Sequence, residues 1–398
     1  MQLDHPEMTD AFSLLTIQDY VRQARLTDKK SDSGSIEFPL LGLFGETGSL
    51  LSEVKKKQRD SASYVGYASA VVEEFGDVLW YLTIVVDRRG LSLVDVALPL
   101  IKDGASNDSI GDKPIAFAML QPEIMPLTKG PTASFEKTLI KLAGLVGTLV
   151  TEHDANGFVE KDTRLFDRTV DILKTLIRAA NEAGITLEAA AVKNLAKIYD
   201  RWPNERTHPK LPDSDAQIEE QLPRDFYVDI FERKVGGKTY VFQRRNDINI
   251  GDRLTDNALV EDHYRFHDVF HYAYVAVLGW SPVVRSLFRL KRKSNPAIDE
   301  AEDGARATLI EEGVTTWIFG QAANMEFFAN LKPGELPFDL LKHIRQFVAG
   351  YEAENFPLWL WEDAILDGYA VFRYLLEHRC GRMHIDMAKR RLTIETSK

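Results

Sequence analysis

Two stretches of this chain set carboxylates inside otherwise apolar helical patterns, and that conflict limits the possible folds more than any other feature. The first runs through Gly45-Glu46-Thr47-Gly48-Ser49 to Glu53 and carries Leu40, Leu41, Leu43, Leu50, Leu51 and Val54 at helical spacing. The second, Val72-Glu73-Glu74-Phe75-Gly76-Asp77-Val78, does the same with Val71, Val72, Phe75, Val78, Leu79 and Leu82. Acids beside such stripes lose hydration, and a positive partner must compensate. Glu74 and Asp77 are about 60° apart round a helix and Glu46 and Glu53 about 20° apart, so each pair shares a face. Two antiparallel helices can therefore aim four oxygen-rich groups at one point, the surroundings that hard Mg²⁺ with a bound phosphate chain requires. The spacing is also compatible with acids that merely cap and solvate exposed faces.

Taken with the lead-in helix Tyr20 to Asp28, the basic Lys55 to Lys57 and the run Glu73 to Tyr81, these segments resemble the MazG-like, all-α nucleoside triphosphate pyrophosphohydrolases. The signature of that family is ExxE, a spacer, then ExxD on two helices. The resemblance implies Mg²⁺, or Mn²⁺ in its place, held by Glu46, Glu53, Glu74 and Asp77. It implies cleavage of an NTP or dNTP between the α and β phosphorus atoms, with Glu53 or Glu46 taking the proton of the attacking water. Lys55 would then face the departing pyrophosphate. Trp80 and Tyr81 would stack on a base, although apolar packing is the commoner role of aromatics on such a helix. One position departs from the pattern: Ser49 stands where the second glutamate is expected, and Glu53, a turn later, is the candidate replacement. A rival reading of another class follows from Ser49, a catalytically weak nucleotide sensor whose C-terminal domain is the effector or a second metal-dependent hydrolase.

A worn second copy of the unit follows. Leu142 to Glu152 aligns with Leu43 to Glu53, and Asn181-Glu-Ala-Gly184-Ile-Thr-Leu187 aligns with Asp87-Arg-Arg-Gly90-Leu-Ser-Leu93. In that register Asp171 matches Asp77, but Leu145 replaces Glu46 and Arg168 replaces Glu74, so the acid cluster cannot form twice. The second copy ends in Asn194, Lys197 and Arg201, which resemble the NxxKxxxR helix that helps the family hold nucleotide phosphates. The first copy has no such ending. The expected fold class is mainly α: a tandem MazG-like helical bundle, an intrachain pseudo-dimer, followed by a mostly helical domain with one β-hairpin. The expected boundaries are 1–104 for the catalytic copy, 105–131 for an insertion loop, 132–203 for the degenerate copy, 204–223 for a proline-rich linker and 224–398 for the C-terminal domain, which resembles no recognised family.

In that last domain Phe226 to Gln243 alternates on both sides of Gly236-Gly237, a hairpin signal. Helical patterns are predicted over about 257–279, 282–293, 300–329, 338–351 and 357–379. His263, His267 and His271, three of the nine histidines, recur every fourth residue, a drift of about 40° per step. With Glu311 or Glu312 they form a candidate second site for a transition metal. A half-buried helix whose imidazoles bond neighbouring acids fits the same spacing.

A net charge of -11 opposes a broadly basic nucleic-acid surface and leaves nucleoside triphosphates as the expected ligands. The single cysteine, Cys380, excludes an intrachain disulfide framework and suits a reducing compartment. No apolar run approaches a membrane span and Met1-Gln-Leu-Asp-His-Pro lacks a signal peptide's regions, so a cytoplasmic protein is expected. Whether the whole chain forms a homodimer is open at this level.

Overall fold

The computed structural model describes residues 15–29, 34–101, 114–122, 124–125 and 130–395, and the chain divides into two compact units, Met1–Tyr199 and Asp200–Lys398. Among the described residues no helix is long and apolar enough to cross a membrane.

Among its described residues the first unit is helical, apart from an isolated antiparallel bridge between Thr16 and Ala116. Thr16 accepts from the Asp19 amide and starts α1 (Ile17–Thr27). The acid-bearing segments form α2 (Glu37–Asp60) and α3 (Tyr67–Asp87). Of the α2 stripe, Leu40, Leu43, Leu50 and Val54 are buried, whereas Leu41 is 69% exposed, because it sits about 100° round from Leu40. After α3 the chain turns through Gly90, left-handed at φ 66°, and Ser92 with Asp95 forms a capping box for α4 (Leu93–Ala97). The worn copy repeats this plan. Its helices α5 (Ala133–Asn156) and α6 (Thr163–Ala183) have the same lengths as α2 and α3, 24 and 21 residues. Gly184 at φ 69° takes the place of Gly90, and the Thr186 hydroxyl caps α7 (Leu187–Arg201) by accepting from the Ala189 amide at 3.0 Å. Pro99 stops the first copy's last helix early, while α7 runs on, which is why only the second copy has a long closing helix.

Both helix pairs share one core: Leu43, Leu50, Phe75 and Leu79 pack with Phe135, Leu142, Ile172 and Leu176, and the Phe75 and Phe135 rings stack 6.3 Å apart. Neither copy could bury its apolar face alone, so the two behave as one folding body. About half of the expected insertion loop lies outside the described residues. What is described of it is tied down: Ile115 and Phe117 are buried, and the Gln121 side chain accepts from the Leu187 amide at 2.6 Å.

The second unit is helical around a five-stranded antiparallel sheet of order β3-β2-β1-β4-β5, formed by β1 (Asp225–Val235), β2 (Lys238–Arg245), β3 (Ile248–Leu254), β4 (Cys380–Asp386) and β5 (Arg391–Glu395). The expected single hairpin is thus only its centre. Gly236 and Gly237 supply the positive φ of the first tight turn, and Asn246 and Asp247, at φ 50° and 63°, supply that of a second turn which the sequence reading passed over. β4 joins from the far end of the unit and pairs with β1, an association that periodicity cannot reveal. The proline-rich stretch 204–223 is part of this unit and not a linker. Asp213, fully buried, accepts from the Leu222 amide at 2.8 Å and from Arg285 at 2.7 Å, anchoring the stretch to α9 (Pro282–Phe288).

The helix predicted over 257–279 is broken up. A 3₁₀ turn (Tyr264–Phe266), the short α8 (Asp268–Ala273) and a π-helical turn (Tyr274–Leu278) replace it, ending at Gly279 with φ 72°. Asp262 accepts from the Tyr264 amide at 3.0 Å and Asp256 pairs with Arg265 at 2.6 Å, and these local bonds compete with a regular helix start. Beyond it run α10 (Pro296–Ala301), α11 (Ala305–Ala322), α12 (Phe338–Phe347) and α13 (Leu358–His378).

Candidate functional site

In the first unit, α2 and α3 bring Glu46, Glu74 and Asp77 together, each offering a carboxylate oxygen within 4.8 Å of the others. Two of the predicted phosphate-binding residues reach them from α7. Asn194 donates its side-chain amide to Asp77 Oδ1 at 2.7 Å, and Lys197 Nζ donates to the same oxygen at 2.6 Å and to Oδ2. Lys197 also pairs with Glu73 at 3.4 Å, a residue that sequence reasoning missed although it lies one turn before Asp77. The close approach of α7 to α3 depends on Gly76: a Cβ there would collide with the Ala190 carbonyl oxygen and stand 2.8 Å from Asn194 Cβ.

One ammonium group among three acids leaves negative charge in excess, and the carboxyl groups register it. Burial, then the charges of Glu46 and Asp77, push Glu74 up to about 8. Glu46 is also raised, by burial and by Asp77, while hydrogen bonds from Glu74 and from the Ser49 hydroxyl pull it back. Glu74 thus holds its proton to higher pH than an ordinary carboxyl, and the hydrogen bond that it shares with Glu46 works in the same direction. Glu74 Oε2 is buried and makes no hydrogen bond. Three hard oxygen donors, one with an unused buried lone pair, fit a divalent cation of the magnesium type.

Other predicted residues sit elsewhere. Glu53 is outside this group: its buried carboxylate accepts from Lys56 at 2.5 Å and from the Tyr64 hydroxyl. Instead Ser49 faces Glu46 directly. Lys55 is exposed and lies about 180° round α2 from Glu46, away from the acids. Trp80 is held by its indole N–H to Thr27 at 2.9 Å and edge-on to Tyr81 at 4.9 Å. Tyr81 lies across α2 where Gly42 leaves room, and burial with the charges of Glu46 and Asp77 pushes its phenol up to about 12. Arg201 belongs to the second unit, where its guanidinium donates to the Gly334 and Leu336 carbonyls and stacks on Trp202. In the worn copy, Arg168 pairs with Glu152 at 2.5 Å, an internal ion pair standing where the first copy has Glu74 and Glu53.

The second unit gathers part of the histidine ladder. His267 and His271 lie one turn apart with Asp268 between them, and one donor atom of each falls within 4.8 Å of the others. His263 is excluded, because its left-handed backbone at φ 68° turns it off the helix to meet Arg379 at 3.3 Å. Glu311 is fully buried and accepts from His271 Nδ1 at 2.7 Å, Ser281 Oγ at 2.6 Å and the Val283 amide at 2.8 Å. Glu312 approaches from the other side, 3.5 Å from His271 Nε2 and 3.8 Å from His267 Nε2. Burial opposes a charge on His271, yet Glu311 and Glu312 hold it well above the usual imidazole range, whereas burial lowers His267.

This second unit is also the part of the chain with a match among known families. Residues 207–398 match the MazG C-terminal domain. The match links the chain to the MazG family through its C-terminal half, and it does not extend over the first unit, where the acid cluster lies. No curated protein and no solved structure matches the chain. The matched residues include the five-stranded sheet and the histidine group, and the acid cluster lies outside them.

Proposed function

We propose that the first unit is a Mg²⁺-dependent nucleoside triphosphate pyrophosphohydrolase that converts an NTP or dNTP to the monophosphate and pyrophosphate. The observation that carries this reading is the convergence of Glu46, Glu74 and Asp77 within 4.8 Å, from helices whose sequences resemble the MazG-like pattern. The MazG link of the second unit agrees with it. Mg²⁺ held by these three acids would neutralise the triphosphate and make the α-phosphorus a better electrophile. Asn194 fixes the orientation of Asp77 through its 2.7 Å amide bond. Glu46, once the Glu74 proton has left, is the carboxylate available to accept a proton from the attacking water. Lys197 supplies positive charge against the departing pyrophosphate. Tyr81, close enough to Glu46 and Asp77 to feel their charges, is the aromatic that this reading assigns to the base. Free nucleotides are the substrates, and the cytoplasm is the compartment this reading assigns.

A second reading, a nucleotide sensor with little turnover, is favoured by one observation, Ser49 in place of a fourth acid. Incubating the purified protein with each NTP and dNTP plus Mg²⁺ and separating the products decides between them. Monophosphate with pyrophosphate supports the hydrolase, binding without turnover supports the sensor, and diphosphate with phosphate overturns both.

A further inference from the structure

The histidine group of the second unit has the construction of a metal site, and its chemistry differs from that of the acid cluster. In His267, Nδ1 meets the Tyr264 carbonyl at 2.9 Å; in His271, Nδ1 meets Glu311 at 2.7 Å. Each ring therefore donates from Nδ1, which makes Nε2 the nitrogen that a metal would take when the ring is neutral. Both Nε2 atoms face Glu312, and His267 Nε2 also lies 3.1 Å from Asp268 Oδ1. His271 is 1% exposed and its Nε2 makes no hydrogen bond, with the Glu312 oxygen at 3.5 Å. A buried polar nitrogen left unbonded is costly, which calls for an occupant.

The spacing fits one. Four ligands about 2.0–2.1 Å from a tetrahedral ion lie roughly 3.3 Å from one another. His267, Asp268 and His271 each bring one ligand atom within 4.8 Å of the others, with His267 Nε2 3.1 Å from Asp268 Oδ1, and Glu312 Oε2 stands 3.5 and 3.8 Å from the Nε2 atoms of His271 and His267. Asp268 is positioned in turn by the Gln243 side-chain amide, and Gln243 by the Tyr272 hydroxyl at 2.6 Å. Every ligand but Glu312 is thus steered by an outer partner, the arrangement in which imidazole and carboxylate ligands are tuned. Among the described residues a further histidine-containing group, Asp225, His384 and Asp386, lacks this: Asp386 is already paired with Lys389 at 2.8 Å.

We infer that the second unit binds one divalent transition-metal ion, of the zinc class, through His267 Nε2, His271 Nε2, Asp268 and Glu312. Two imidazoles favour such an ion over Mg²⁺, which keeps to oxygen ligands. Glu312, with 38% of its side chain exposed, gives the ion a path to solvent. The inference is independent of the proposed hydrolysis in the first unit.

The full-length protein, purified without a polyhistidine tag and stripped with chelator, should bind close to one equivalent of Zn²⁺ per chain by calorimetry, in the presence of a large excess of Mg²⁺. Glu312→Gln, at a partly exposed position where misfolding is not expected, should weaken Zn²⁺ at least tenfold, and His267→Gln should do so more strongly. Glu311→Gln should cost about 10–100-fold through loss of the bond that orients His271. Glu74→Gln should leave Zn²⁺ binding unchanged. Failure of the wild type to bind Zn²⁺, displacement by Mg²⁺, or undiminished binding in folded Glu312→Gln would overturn the site.

Discussion

Asn194 donates its side-chain amide to Asp77 Oδ1 at 2.7 Å across 117 residues of sequence. Each belongs to a different copy of the same helical plan, so the acid cluster is completed by a helix that only the second copy possesses. If Asp77 is a metal ligand, Asn194 is its orienting partner. Asn194→Ala should lower apparent Mg²⁺ affinity by about 10–100-fold while leaving the fold intact, measured as the Mg²⁺ dependence of pyrophosphate release. An unchanged Mg²⁺ titration would separate Asn194 from the site.

Lys197 shares that oxygen, and its loss has a different signature. Lys197→Ala should reduce kcat by about 10²–10³-fold, the cost of removing one charge-stabilising donor, with a smaller effect on Mg²⁺ affinity than Asn194→Ala. Asp171→Ala, in the equivalent helix of the worn copy, should leave kcat as it is. Equal losses in the two variants would point to a general effect on the bundle.

The carboxyl of Glu74, pushed up to about 8, makes a pH prediction whose sign is definite. A carboxyl raised in the folded state binds more protons folded than unfolded between its ordinary value of 4.5 and about 8, so metal-free stability falls as pH rises through that window. Glu74→Gln removes the penalty and should raise the melting temperature of the metal-free protein at pH 9, with little gain at pH 4. Mg²⁺ must displace the same proton, so its apparent affinity should climb with pH and level off above about 8. Melting curves and Mg²⁺ titrations at several pH values test both halves.

Much of this was legible in the sequence because it is local. Helical periodicity located α2, α3, α5, α6 and α7, and the Gly90 and Gly184 turns with their Ser92 and Thr186 caps made the repeat visible. The acids were found by their conflict with the apolar stripe. What escaped was set by distant partners. Glu53 shares the face of Glu46, yet Lys56 and Tyr64 hold it, and no spacing rule announces the Tyr64 hydroxyl. Arg201 continues the spacing of Lys197, but by then the helix has entered the second unit, whose carbonyls take the guanidinium. Histidines at perfect four-residue intervals suggested one ladder, and the Asp262 and Asp256 bonds that break the helix removed His263 from it. β4 and β5 come from the end of the chain to a sheet begun near residue 225, a long-range pairing beyond any local pattern.

The misplaced Glu53 yields a prediction of its own. With Lys56 and Tyr64 as its partners, Glu53→Gln should leave the Mg²⁺ dependence near that of wild type and cost about 1–2 kcal/mol of stability, since a charge-assisted bond inside a buried pocket is weakened. Ser49→Glu, beside Glu46, should tighten Mg²⁺. A sharp loss of Mg²⁺ dependence in Glu53→Gln would return Glu53 to the cluster.

Gly76 offers the most direct test that the second copy's helix serves the first copy's acids. A Cβ at this position would meet the Ala190 carbonyl oxygen and the Asn194 Cβ at 2.8 Å, and the backbone of α7 has no flexible end that could yield. Gly76→Ala must therefore push α3 and α7 apart. Overpacking of this sort costs about 1–3 kcal/mol, well above the gain of up to about 1 kcal/mol that alanine brings to a helix interior. Displacement should also carry Asn194 and Lys197 away from Asp77, so turnover and Mg²⁺ affinity should fall together. Gly144→Ala is the matched control: it lies on α5 with nothing near its added methyl group and should stabilise slightly without touching activity. A Gly76→Ala protein that melts lower yet hydrolyses nucleotide at the wild-type rate would show that α7 supports the bundle but not the chemistry.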